Sequence, residues 1–104
     1  MAKVKIETES DWKALFPNLT PYWDASFIQR LQAAIVDETA DNWPNGTDFY
    51  HEDYRWIKFM YGVTDRMGWS RRDVKKMNAH GQFWYDLSNL VDRLRSRLIT
   101  MGRI

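Results

Sequence analysis

Any fold of this chain must accommodate the segment between Ser70 and Thr100. There Val74, Met77, Gly81, Trp84, Leu87, Val91, Leu94 and Leu98 recur at steps of three and four. That spacing puts them on one side of a helix, whereas a strand would need alternation. Phe83, Leu90 and Ile99 widen the stripe beyond the seam of a simple coiled coil, so the helix must lie against other elements. Ser70 precedes it as an N-cap, with Asp73 placed to return a capping hydrogen bond. Run unbroken, about thirty helical residues extend about 45 Å, against a radius of gyration of ~13 Å for a globule of this size. Two readings follow. Either the helix projects and packs on a second copy, or it kinks at Asn78, Ala79, His80 and Gly81.

The residues before it supply packing partners. Val4 to Thr8 alternate in polarity, which predicts a short strand or an ordered arm within residues 1–9. Ser10 and Asp11 cap a short helix to about Phe16, with Trp12, Leu15 and Phe16 inward, and Pro17 stops it. Asn18 to Trp23, carrying Pro21, reads as a rigid connector. Asp24 then caps a second helix on which Phe27, Ile28, Leu31, Ala34, Ile35 and Glu38 share a face, ending near Asn42. Pro44 and Asn45-Gly46 form a breaker. A third helix runs from about His51 to Met67, with Tyr54, Ile57, Met60 or Tyr61, Val63 or Thr64, and Met67 inward, and with Gly62 weakening its middle. Gly68 suits a left-handed C-cap, over which Trp69 folds back before Ser70 restarts the helix. The expected fold is mainly α, one domain over residues 1–104. It is a small bundle of three to four helices with a long C-terminal helix.

Several functions are disfavoured by composition. The chain has no cysteine, which excludes disulfides, thiolate catalysis and zinc–thiolate sites. No apolar run approaches the ~20 residues that span a bilayer, and Met1 to Ser10 is polar, so a soluble cytoplasmic protein is expected. Six tryptophans in 104 residues are more than a small core hides, so most should seal its rim and one or two face a partner. The formal charge of +1 conceals an asymmetry. Up to Tyr54 there are ten acidic and four basic side chains, and from Arg55 there are four acidic and eleven basic. The halves attract each other, or the basic half attracts an anionic partner.

The sharpest local feature is Arg71, Arg72, Lys75 and Lys76, four cations at the end of a helix where the macrodipole disfavours them. They suit carboxylates or phosphates, and with Ser70 they form the alternative reading, a helix-turn-helix module binding DNA or RNA. Arg93, Arg95, Arg97 and Arg103 are a second basic group, which could extend a phosphate track if the helix packs back. His51 with Asp48, Glu52 and Asp53 matches neither a His-Glu-x-x-His site nor a calcium loop, and helix capping accounts for it. Asp37, Glu38 and Asp41 form an acidic patch at one helix end, which does not indicate general acid–base catalysis without a pKa-shifting pocket. With no phosphate loop, glycine fingerprint or nucleophile elbow, no enzymatic activity, cofactor or metal is expected.

The segment Tyr61 to Phe83 is centred on Met67-Gly68-Trp69-Ser70-Arg71-Arg72-Asp73-Val74-Lys75-Lys76-Met77. It resembles a motif in small helical proteins of tailed bacteriophages, the tail assembly chaperone and minor tail groups, where a helix ends at Gly-Trp-Ser or Gly-Trp-Thr and a charged helix begins. The resemblance covers about a fifth of the chain and departs at Arg71, where proline is common. It implies a structural junction at Gly68, Trp69 and Ser70, core contacts at Val74 and Met77, and a phage accessory role in the host cytoplasm. The expectation is therefore a nonenzymatic protein-interaction domain contacting another protein, or itself, through Trp69, Arg71, Arg72, Lys75, Lys76 and Trp84.

Overall fold

A computed structural model describes residues 9–43 and 53–103. The expected N-terminal strand, the Pro44–Asp48 breaker and the Asp48–His51–Glu52 cluster lie outside the described residues. Within them the chain is helical throughout: α1 (Glu9–Leu15), a 3-10 helix (Pro17–Tyr22), α2 (Phe27–Asn42), α3 (Asp53–Arg66), α4 (Arg71–Met77) and α5 (Gln82–Thr100). Six helical segments replace the expected three to four, for two reasons. The connector with Pro17 and Pro21 winds into 3-10 geometry, and the long helix divides in two.

The division is local chemistry. Asn78 ends α4, and Gly81 takes φ 77°, a left-handed conformation that glycine adopts without a Cβ penalty. The Asn78 side-chain oxygen then accepts the Trp84 backbone N–H at 2.9 Å, capping the first turn of α5. At 19 residues α5 is about 28 Å long, which fits extents of 36 × 33 × 25 Å. An unbroken helix would overshoot them, and the kinked reading is the one realised.

Helix α2 buries the face read from sequence, Phe27, Ile28, Leu31, Ala34, Ile35 and Glu38, and adds Thr39. Two other faces hold in part: Met60, Val63 and Thr64 of α3, Met67 just after it, and Phe83, Leu87, Leu90, Val91, Leu94 and Leu98 of α5 are buried as expected, and the margins differ. On α3 the buried residues are Phe59, Met60, Val63 and Thr64, while Tyr54 and Ile57 are exposed. Trp56, stacked on Phe59 with centroids 5.5 Å apart, takes the place Tyr54 and Ile57 were expected to fill. On α5 the stripe widens toward Asp86 and Arg95, leaving Ile99 exposed. Asp86 explains part of this: its Oδ2 accepts from the Asn18 backbone N–H at 3.3 Å and from Asn18 Nδ2 at 2.9 Å. The 3-10 helix lacks a side-chain cap of its own, and α5 supplies the acceptor from 68 residues away.

Five aromatic rings bind these elements into a closed circuit. Trp23 packs on Phe27 (4.6 Å between centroids), Phe27 on Trp69 (6.1 Å), Trp69 edge-on to Phe83 (5.7 Å), and Phe83 edge-on to Tyr22 (5.2 Å), the neighbour of Trp23. The circuit joins the 3-10 helix, α2, the α3–α4 turn and α5. Edge-to-face geometry adds roughly 0.5–1.5 kcal/mol per pair beyond burial.

Candidate functional site

The α3–α4 junction is set by hydrogen bonds that a short run of residues dictates. Gly68, at φ 83°, donates its N–H to Asp65 O at 3.0 Å, and Trp69 N–H donates to Thr64 O at 3.1 Å. This pair is a Schellman motif. Ser70 N–H then donates to Asp73 Oδ2 at 2.9 Å, and Asp73 N–H donates to Ser70 Oγ at 3.1 Å, a complete capping box. Both Ser70 groups are thereby committed within the helix start.

Asp73 is held below the usual carboxylate range, first by the Ser70 backbone N–H, then by the Ser70 side chain, with Lys76 and Arg72 adding attraction. A depressed folded value contributes stability above the unfolded value of 3.8, and the contribution disappears as pH falls through the folded value. The urea midpoints of wild type and Asp73→Ala should therefore differ by a constant amount at neutral pH and converge below about pH 4. Parallel curves down to about pH 2 would show that the box contributes no pH dependence.

Beyond the cap, Val74 is buried and Met77 half-buried on one side of α4, while Arg71, Arg72, Lys75 and Lys76 are exposed. At 100° per residue the four cations occupy one arc of about 140°. The described side chains show ion pairs at Arg30–Asp24, Arg66–Glu38 and Arg66–Asp41, and none joins Arg72, Lys75 or Lys76 to a described carboxylate. The attraction between the two halves of the chain is spent elsewhere: Arg66 of α3 reaches Glu38 at 3.1 Å and Asp41 at 2.7 Å on α2, and these bonds, Asp41 first, raise its pKa.

One edge of the cationic arc is aromatic. The Arg71 guanidinium lies 4.1 Å from the centroid of Tyr61, and Tyr61 meets Trp84 at 5.2 Å with the planes at 47°. Both rings are half-buried. Arg71 and Trp84 thus meet through Tyr61, which shares its periodic position in the sequence with Met60. Met60 is fully buried on α3, and Tyr61, about 100° further round the helix, is half-buried at the margin of that face, where its ring meets Arg71 and Trp84.

The other candidates separate from this cluster. Trp69 is engaged by Phe27 and Phe83 in the aromatic circuit. Arg95 is fully buried, its guanidinium 6.0 Å from the Phe59 ring, so the second basic group does not form a continuous surface track. Arg97 lies 5.6 Å from the Trp12 ring. Open hollows of about 280 Å³ beside Lys13, Trp23 and Asp24, and of about 300 Å³ beside Arg97 and Met101, lie on other segments. No described helix is long and apolar enough to cross a membrane, and no three described His, Asp or Glu side chains are placed to hold a metal ion.

The chain matches no protein-family model, and neither curated proteins nor solved structures yield a match to it.

Proposed function

We propose that this chain is a nonenzymatic protein-interaction domain whose contact surface is the outer side of the α3–α4–α5 junction. The observation that carries the reading is the Tyr61–Arg71–Trp84 cluster beside a cationic arc without described ion-pair partners. Tyr, Trp and Arg are the residues that most often dominate the energy of protein interfaces, and here they stand together, the two rings half-buried and the guanidinium exposed. The Gly68-Trp69-Ser70 resemblance supports the finer reading of a phage assembly or accessory factor acting in the host cytoplasm, where the partner would be another phage protein. The division of the long helix removes the geometric need for a second copy, which favours a different protein as partner.

A nucleic-acid-binding helix-turn-helix module is the second reading, favoured by the exposure of Arg71, Arg72, Lys75 and Lys76 on the helix after the turn. One experiment separates them. Light scattering should give the 12.5 kDa monomer with no absorbance excess from nucleic acid. A nuclease-treated extract of cells that make the protein should yield a bound protein that survives about 0.5 M salt, because an aromatic-centred contact outlasts screening. Tyr61→Ser with Trp84→Ser should lose it. A dimer would assign the surface to self-association, and salt-labile, nuclease-sensitive binding would establish the second reading instead.

A further inference from the structure

We propose that the segment recognised at this surface is an acidic amphipathic helix. Its carboxylates would meet Arg72, Lys75 and Lys76, while an apolar side chain rests against Tyr61 and Trp84. The inference rests on the protein-interaction reading and adds the chemistry of the partner. Arg72, Lys75 and Lys76 stand at i, i+3 and i+4 on one helix, which sets the Cβ atom of Arg72 about 5–6 Å from those of Lys75 and Lys76 and puts all three cations on one face. Carboxylates on a second helix repeat at the same spacing, so two or three can be matched at once without straining either backbone. The aromatic edge gives that helix somewhere to bury its apolar stripe.

Four features of the same surface favour carboxylates over a phosphate backbone. The cations are confined to a helix of seven residues, about 10 Å long, so they neutralise a short acidic stretch and not an extended polyanion. Two of the backbone donors that a helix start would offer a phosphate are taken, the Ser70 N–H by Asp73 Oδ2 and the Asp73 N–H by Ser70 Oγ, and the ionised Asp73 carboxylate stands beside the arc. Arg71 already lies on Tyr61, which leaves less ring surface for a base to stack on. A formal charge of +1 gives no long-range pull on a polyanion.

The test uses the full chain and three fluorescent probes. One is a synthetic amphipathic helical peptide with a leucine stripe flanked by glutamates; the second is the same peptide with every glutamate replaced by glutamine. The third is a single-stranded oligothymidylate. Anisotropy titrations at about 150 mM salt should show the glutamate peptide bound at least about tenfold more tightly than the glutamine peptide. They should also show at least about a tenfold loss with Arg72→Glu plus Lys76→Glu, with circular dichroism confirming an unchanged fold. Equal binding of the two peptides, or binding of neither, overturns the acidic-helix proposal and leaves the interaction surface itself intact. Tighter binding of the oligothymidylate than of the glutamate peptide overturns both.

Discussion

Gly62→Ala is expected to destabilise the fold by about 3 kcal/mol, although alanine is the better helix former by about 1 kcal/mol. Gly62 sits inside α3 opposite α2, and a Cβ there would fall on the carboxylate of Glu38. That carboxylate is buried and accepts from Asn42 Nδ2, Trp43 Nε1 and Arg66 Nε, each at 3.1 Å. Overpacking alone costs roughly 1–3 kcal/mol. Displacing a buried carboxylate from three donors adds to this, because its charge loses partners that water cannot replace. In a domain of ordinary stability, about 5–15 kcal/mol, the loss is large. A double-mutant cycle followed by urea unfolding separates the two contributions. Glu38→Ala removes the obstacle, so adding Gly62→Ala in that background should be neutral or stabilising by up to about 1 kcal/mol. If Gly62→Ala alone matched wild type, the close approach of α2 and α3 at this point would be refuted.

The same residues show where a sequence is legible and where it is not. The buried face of α2, including Glu38 at its polar end, and the Gly68-Trp69-Ser70 junction with its Asp73 cap follow from rules spanning three to five residues. What escapes such rules is any residue whose reason lies far along the chain. Gly62 reads as a weak point in a helix until Glu38, 24 positions earlier, is seen to need its space. Asp86 and Arg95 look like solvent-facing members of α5, yet Asp86 is buried as the acceptor for Asn18, and Arg95 is fully buried with its guanidinium toward Phe59. Only the start of the α3 stripe escapes the sequence: Tyr54 and Ile57 satisfy the periodicity as well as Trp56 and Phe59 do, and packing chooses the second pair, while Met60, Val63, Thr64 and Met67 are buried as the spacing predicts. The candidate site divides the same way. Its cations are plain in the sequence, whereas Tyr61, which joins Arg71 to Trp84, is indistinguishable there from a core residue.

Trp69 and Trp84 make that distinction measurable. Both border the basic helix and both were expected to contact a partner, but they belong to different parts of the structure. Trp69 links Phe27 to Phe83 in the aromatic circuit, so Trp69→Ala should cost about 3 kcal/mol of stability, toward the lower end for a core aromatic because the ring is only half-buried. Trp84 is half-buried and also packs against the core, but its ring partner is the half-buried Tyr61 and not two members of the circuit, and its backbone N–H, which donates to Asn78, survives substitution. Trp84→Ala should therefore cost less, about 2 kcal/mol of stability. Binding should invert the order. Compared at a temperature where both variants are folded, Trp69→Ala should hold the acidic helical peptide within about threefold of wild type. Trp84→Ala should weaken it about thirtyfold, the effect of a 2 kcal/mol anchor. The Schellman turn and the Ser70–Asp73 capping box hold α4 against α3 through bonds that do not use the Trp69 side chain, so Tyr61 and Arg71 stay together when that ring is removed. A variant ranking with Trp69 dominant in both measurements would move the contact surface to the turn itself.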